Sequence, residues 1–185
     1  VARETSKRYS RLADLCTPIS KAFATEAANQ VAYDSIQCHG GKGYMREQQV
    51  ERLYRDARIM NIYEGTTQLQ IVAATGGLVK RVLDPTLDEL AALPFAGEAA
   101  ELAARVAEAR EVTAACLAFV ESDSSSRLDL AARRLVRMAT LVYVSYLLLR
   151  DAMRDNARLT IARRFIWEFL PEVGMHDRVV RDTLP

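Results

Sequence analysis

Apolar residues recur at steps of three and four along most of the chain, the spacing of helices with one buried face. The opening stretch "VARETSKRYSRLADL" carries charges at helical spacing and reads as the interior of a helix. Thr17-Pro18 reads as a helix start, because proline is tolerated in a first turn where its missing N–H is not needed. From there Ile19, Ala22, Phe23, Ala27 and Val31 form an apolar stripe. It runs to Ile36 and stops at Gly40-Gly41, as glycine stops a helix just past its C-terminus. "GGKGYMRE" is a tight loop. A second helix is expected to turn Val50, Leu53, Tyr54 and Ala57 inward, with Arg52, Arg55 and Arg58 nearby. "IMNIYEG" breaks that pattern, and a third helix begins at Gly65-Thr66 with Leu69, Val72, Ala73, Val79 and Leu83 on its buried side.

Asp84-Pro85 is the strongest internal boundary, because proline bars its predecessor from helical geometry. A short helical piece follows, broken by Pro94 and Gly97. Leu102, Val106, Ala109, Thr113, Cys116 and Val120 then alternate steps of four and three, a seam suited to packing on another helix. "ESDSSSRLD" is a loop in which Ser124, Ser125 or Ser126 is the expected N-cap. A long helix through Leu128, Leu135, Met138, Val142 and Leu149 follows. A last one, over roughly residues 156–170, sets Leu159, Ala162, Ile166 and Phe169 on one side. With no β-hairpin signal and no repeat, the expectation is an all-α chain: a helical bundle over 1–84 and a second helical bundle over 85–185.

Composition narrows the function classes. Lys plus Arg is 25 against Asp plus Glu 24, so no net field draws the chain to nucleic acid or an acidic membrane. The longest apolar run, residues 141–149, is too short to span a bilayer. Cys16, Cys38 and Cys116 are odd in number and widely spaced, which suggests free thiols in a reducing, cytoplasmic setting. His39 and His176 are the only histidines and lie far apart in sequence, and no metal is expected.

The chemistry concentrates in "NIYEGTTQLQ", residues 61–70. Glu64 lies just outside a helix entrance, where the positive end of the helix dipole favours a carboxylate whether or not it does chemistry. "QCHGGKGY" could present backbone amides to a phosphate, but on local grounds it reads as a helix C-terminal turn, since no strand precedes it. The arginine row reads as a solvated or ion-paired face, with Asp56 in reach of one arginine.

Taken together, "QCHGGKGYMREQQVERLYRDARIMNIYEGTTQLQ" closely resembles the C-terminal α-domain of the flavin-dependent acyl-CoA dehydrogenases. The matching parts are residues 37–41, Gly43-Tyr44, residues 55–58, residues 62–66 and Gln68, with "LCTPISKAFATE" extending the likeness upstream. The resemblance covers about residues 12–83. It implies that Glu64 is the base that takes the α-proton of an acyl-CoA thioester while FAD accepts a hydride from the β-carbon. The Glu64 N–H, with a ribityl hydroxyl of FAD, would bond the thioester carbonyl. It also implies FAD contacts at Thr66 and Gln68, and at Gln37, Gly40 and Gly41 for the cofactor of a neighbouring subunit. Tyr63 and Gly65 would border the acyl substrate, and Arg55 and Asp56 would fix the loop that carries Glu64. The implied partners are an acyl-CoA, electron-transfer flavoprotein or a similar acceptor, and further copies of the chain as a homodimer or homotetramer. The alternatives are an acyl-CoA oxidase and a helical assembly domain without chemistry. Most flavin contacts of such enzymes lie in other domains, so residues 1–185 alone are expected to be inactive.

Overall fold

The computed structural model describes residues 2–122 and 125–182, and every regular element among them is helical. Helix α1 spans Ala2–His39, α2 Gln49–Ile59, α3 Thr67–Val79 and α4 Asp84–Ala91. Then come α5 (Glu98–Glu121), α6 (Ser125–Arg154), α7 (Leu159–Phe169) and α8 (Glu172–Asp182). Two 3₁₀ turns, Gly40–Tyr44 and Asn156–Arg158, fill the connections after α1 and before α7. The long α6 is the axis of the molecule: α1, α3, α4, α5, α7 and α8 all pack on it. Its Leu135, Met138, Leu141, Val142, Tyr146 and Leu149 are all but sealed from solvent. One continuous cluster of buried side chains runs from Leu15 of α1 to Val180 of α8.

The second half follows its pattern closely. Leu102, Val106, Cys116 and Val120 of α5 are buried, with Ala109 and Thr113 half-buried between them; α5 packs on α6 and α8, and Cys116 lies beside Asp177 of α8. Burial, with the Asp177 carboxylate beside it, pushes the Cys116 thiol up to about 12, so the group stays a neutral thiol in the core. Gly97 begins α5 with φ +55°, which fits its place as a helix boundary. The expected cap at Ser124 lies outside the described residues, as do the side chains of Ser125 and Ser126. The segment after residue 170 is a further helix, α8, rather than a tail. Pro171 ends α7 and opens α8, and Gly174 interrupts the apolar spacing that would have announced it. Val173 and Val180 nonetheless seal α8 onto the core.

The first half departs from its pattern in four places. Pro18 does not start a helix: α1 runs through it unbroken. The ring is buried, and the Asp14 residue whose carbonyl loses its N–H partner is exposed to water. Ala27 and Val31 are exposed: α1 packs on α2 and the 3₁₀ turn as well as on α3, and these two side chains face away from the covered side. Leu53 and Tyr54 of α2 also face outward, leaving Val50 and Ala57 as its buried contacts. In α3 the buried face is Ile71, Ala74, Thr75 and Leu78, while Leu69, Val72 and Ala73 are exposed. That helix is apolar on nearly every side, so spacing alone could not choose between two stripes.

Close approach of α3 to α1 depends on Gly77. A Cβ there would stand 2.8 Å from the Leu15 Cδ1, and Leu15 is itself 2 % exposed. Gly77→Val is therefore expected to destabilise the fold by about 1–3 kcal/mol through overpacking, read as a lower midpoint in chemical unfolding. Val106 is completely buried in the α5 seam. Val106→Asp would place an unpaired carboxylate there, at a cost of about 3 kcal/mol or more. Thermal unfolding followed by circular dichroism should show a Tm lowered on the order of 10 °C. An unchanged Tm would mean that the seam is not core.

Candidate functional site

Between α2 and α3 the chain makes a turn that its own backbone does not favour. Glu64 has φ +50° and Gly65 φ +89°, two successive residues in the left-handed region. Glycine takes that conformation freely, whereas glutamate does so at a cost of about 1–2 kcal/mol. Gly65 cannot be replaced cheaply, because its φ of +89° strains any other residue, and a Cβ would also push aside the Gln70 amide that holds the turn. Something must hold the turn in place.

The clamp is polar and comes mostly from α1. Lys21 Nζ donates to the Tyr63 carbonyl at 2.6 Å and also to the Gly65 carbonyl, and lies 5.4 Å from the centre of the Tyr63 ring. Gln70 Nε2 donates to the Glu64 carbonyl at 3.1 Å. Asn29 Nδ2 reaches the Ala57 carbonyl at 2.8 Å and the Asn61 Oδ1, tying α1 to the end of α2. Asn61 in turn donates to the Thr67 Oγ1 at 3.1 Å and accepts from the Thr67 N–H at 3.1 Å. The Thr66 hydroxyl caps α3 by accepting from the Leu69 N–H at 3.4 Å, as expected of that residue. The two hydrogen bonds from the Lys21 ammonium and the one from Gln70 act against the cost of the left-handed conformation at Glu64.

What the clamp leaves free is informative. Three successive carbonyls, of Tyr63, Glu64 and Gly65, are held by side chains. The Glu64 N–H has no protein acceptor among the described residues. Its carboxylate is exposed and makes neither a hydrogen bond nor an ion pair there. A free carboxylate and a free amide donor from one residue therefore share the surface of a fixed turn.

Thr66 and Gln68 line a groove of about 560 Å³ beside this turn, with Asn29, Tyr33, Tyr54 and Arg58 among its walls. Tyr63 is half-exposed at the turn itself. Gln37, Gly40 and Gly41 do not line the groove. Gln37 follows Tyr33 of the groove wall by one helical turn, about 6 Å, and Gly40 and Gly41 follow in the 3₁₀ turn after α1. The structure thus gathers Tyr63, Glu64, Gly65, Thr66 and Gln68 and leaves the glycine loop beyond the end of the groove. Gly40 takes φ +60°, and open space surrounds the Cβ position at both Gly40 and Gly41, so a ligand could lie against bare backbone. Arg55 and Asp56 do not brace the Glu64 turn as expected: Arg55 pairs with Glu51 and Asp56 with Arg52, both within α2. The bracing residues are Lys21, Asn29, Asn61 and Gln70. For Lys21 and Asn29 the signal was the polar line Lys21, Thr25 and Asn29, four residues apart on an otherwise apolar helix face.

Among the described residues no helix is long and apolar enough to cross a membrane, and no group of three or more His, Cys, Asp or Glu could hold a metal ion. The three cysteines are free thiols, with only Cys38 well exposed.

Comparison with known proteins bears on both halves of the chain. The family model described as "Acyl-CoA dehydrogenase, C-terminal domain" matches residues 7–77, and that described as "Acyl-CoA dehydrogenase C terminal" matches residues 82–166. A 3-methylmercaptopropionyl-CoA dehydrogenase of Ruegeria pomeroyi is 40% identical over 123 residues, covering 62% of this chain and 21% of the relative. The CarC subunit of the caffeyl-CoA reductase-Etf complex of Acetobacterium woodii is 44% identical over 63 residues, covering 34% of this chain and 17% of its own. In fold, the chain is similar to an acyl-CoA dehydrogenase from Bacillus anthracis solved with FAD. The TM-score is 0.74 at 19% identity, over 88% of this chain and 32% of that one. A similar match is ACDH-11 of Caenorhabditis elegans in complex with C11-CoA, with TM-score 0.69 and 21% identity over 96% of this chain and 34% of that one. The chain therefore spans about a fifth of the length of these curated relatives and about a third of the solved structures. With its two halves matched in order by the family's two C-terminal models and its helices arranged as theirs, the chain belongs to the acyl-CoA dehydrogenase family, whose C-terminal helical region it carries.

Proposed function

We propose that this chain supplies the catalytic base and part of the flavin cradle of an FAD-dependent acyl-CoA dehydrogenase that desaturates an acyl-CoA between its α and β carbons. The observation that carries the reading is the Glu64 turn, where an unpaired carboxylate and an unpaired N–H from one residue stand on a braced backbone. An α-proton of a thioester is far too weak an acid for a carboxylate in water. Its removal needs a base held in place and a donor aimed at the carbonyl where charge develops. Glu64 offers both from one position. Its carboxylate would take the α-proton, and its N–H would donate to the thioester oxygen. Tyr63, half-exposed next to it, would exclude water from one side of the acyl group.

Bound FAD would supply the acceptor for the hydride leaving the β-carbon. The residues present suit such a group: Thr66 and Gln68 present a hydroxyl and an amide in the groove beside the turn. Gly40 and Gly41 present open backbone just after α1, with Gln37 in the last turn of that helix. We read the two patches as serving different cofactors, the second that of a neighbouring copy in a homodimer or homotetramer. An FAD-bound fold neighbour and one holding C11-CoA support the choice of ligands. A relative named as a subunit of an Etf complex supports electron-transfer flavoprotein as the acceptor.

Glu64→Gln tests the role of the base in the flavin-loaded holoenzyme. The substitution keeps the size and the N–H, and the clamp on the backbone is untouched. Flavin content should be unchanged, while reduction by acyl-CoA, followed anaerobically by stopped-flow, should slow by roughly 10²–10⁴-fold. Glu64→Asp should lose less, since it withdraws the carboxylate by one methylene but keeps it. Reduction at the wild-type rate in the Gln variant would leave Glu64 as a turn residue only.

A further inference from the structure

Lys21 is the residue on which the turn leans most, and its contacts fall on particular atoms. The ammonium donates to the carbonyl of Tyr63 and to that of Gly65, the two that flank Glu64. The Tyr63 carbonyl and the Glu64 N–H are the two ends of one peptide group. Drawing electron density toward that oxygen leaves the N–H more positive, so a charged donor at one end strengthens the donor at the other. Lys21 is half-buried and fixed on α1, where Thr25 Oγ1 donates back to the Lys21 carbonyl at 2.8 Å. Its charge is therefore held on the turn by a rigid helix. Among the described residues no ion pair diverts it, and the Glu64 carboxylate makes none with it.

We propose that Lys21 is a positioning residue that both locks the left-handed turn and polarises the Tyr63–Glu64 peptide, so that the Glu64 N–H binds an enolate-like oxygen more tightly than a ground-state carbonyl. The inference rests on the reading of Glu64 given above and extends it to the strength of the amide donor. Gln70 acts alongside it, holding the Glu64 carbonyl through a neutral amide. Arginine at position 21 would keep the charge, glutamine would keep a donor without the charge, and methionine would keep neither.

The test uses the flavin-loaded holoenzyme and 3-oxobutanoyl-CoA, a thioester acidic enough to enolise while bound and whose enolate absorbs in the near ultraviolet. Wild type, Lys21→Arg, Lys21→Gln and Lys21→Met are each titrated with pH while the enolate band is followed. Flavin content and Tm are measured in parallel. In Lys21→Gln the bound analogue should hold its proton to a pH about one unit higher, and flavin reduction by substrate should slow about tenfold with little change in KM. Lys21→Arg should restore much of both. Wild-type enolate acidity in both the Gln and Met variants would overturn the proposal, whether or not Tm falls. So would an Arg variant as impaired as the Gln variant despite full flavin content. The two readings fail separately. If Glu64→Gln reduces flavin normally, the assignment of the base is wrong. If it does not, and the Lys21 variants leave enolate acidity unchanged, only the role of Lys21 falls.

Discussion

A helix of thirty residues buried on nearly all its faces is the constraint to which the rest of the molecule answers. Helix α6 places Leu135, Met138, Leu141, Val142, Tyr146 and Leu149 out of reach of water, and no single neighbour could cover them. Six helices share the task, α5 along the greatest length. Burying a side chain such as leucine or valine stabilises the fold by about 1.5–3 kcal/mol, so the coat around α6 is where most of the stability resides. The polar exceptions on it are instructive. Arg137 reaches Glu172 of α8 with two hydrogen bonds at 2.9 and 3.0 Å, and Arg134 donates to His176. Burial, with Arg134 and Arg137 near, holds the His176 imidazolium below its ordinary range, so the ring accepts as a neutral base.

Helix α1 answers to a different demand. Its first half belongs to the core through Leu15, Ile19 and Ala22. Its second half carries the polar line that braces the Glu64 turn, then ends at the glycine loop. One rigid element thus joins the core to both patches assigned to ligands. An exposed apolar surface at Val31, Leu53, Leu69 and Val72 accompanies this half. These residues come from α1, α2 and α3, and none of the described residues covers them.

The difference between the halves explains what could be read in advance. Around α6 the burial pattern is enforced from several directions, so spacing and burial coincide at Leu102, Val106, Cys116 and Val120. In α3 both stripes are apolar, and the choice of Ile71, Ala74 and Leu78 over Leu69 and Val72 was made by Gly77, which admits Leu15 of α1. A contact between residues so far apart in sequence has no local spacing to announce it. Pro18 misled for a related reason: its penalty is local, while the burial that outweighs it is tertiary. Within the site, Glu64 and Thr66 stood out because a helix entrance has its own sequence signs. The arginine–aspartate pairs looked like braces because they were near in sequence. The real brace, Lys21, lies more than forty residues away from the turn.

That distance has a physical consequence for how such a site can be built. A turn with two left-handed residues is unstable by itself, so its geometry must be fixed by something stiffer than a loop. A helix anchored in the core is stiff, and a lysine on it can reach out along its flexible stem to carbonyls that a shorter side chain would miss. Lysine also brings a charge, which a neutral donor such as Asn29 or Gln70 does not. Placing that charge on the far end of the Tyr63–Glu64 peptide, rather than against the Glu64 carboxylate, avoids a conflict. An ion pair would lower the basicity of the carboxylate, whereas a bond to the carbonyl strengthens the amide donor and leaves the carboxylate unpaired. The arrangement separates the two roles of one residue along its own backbone.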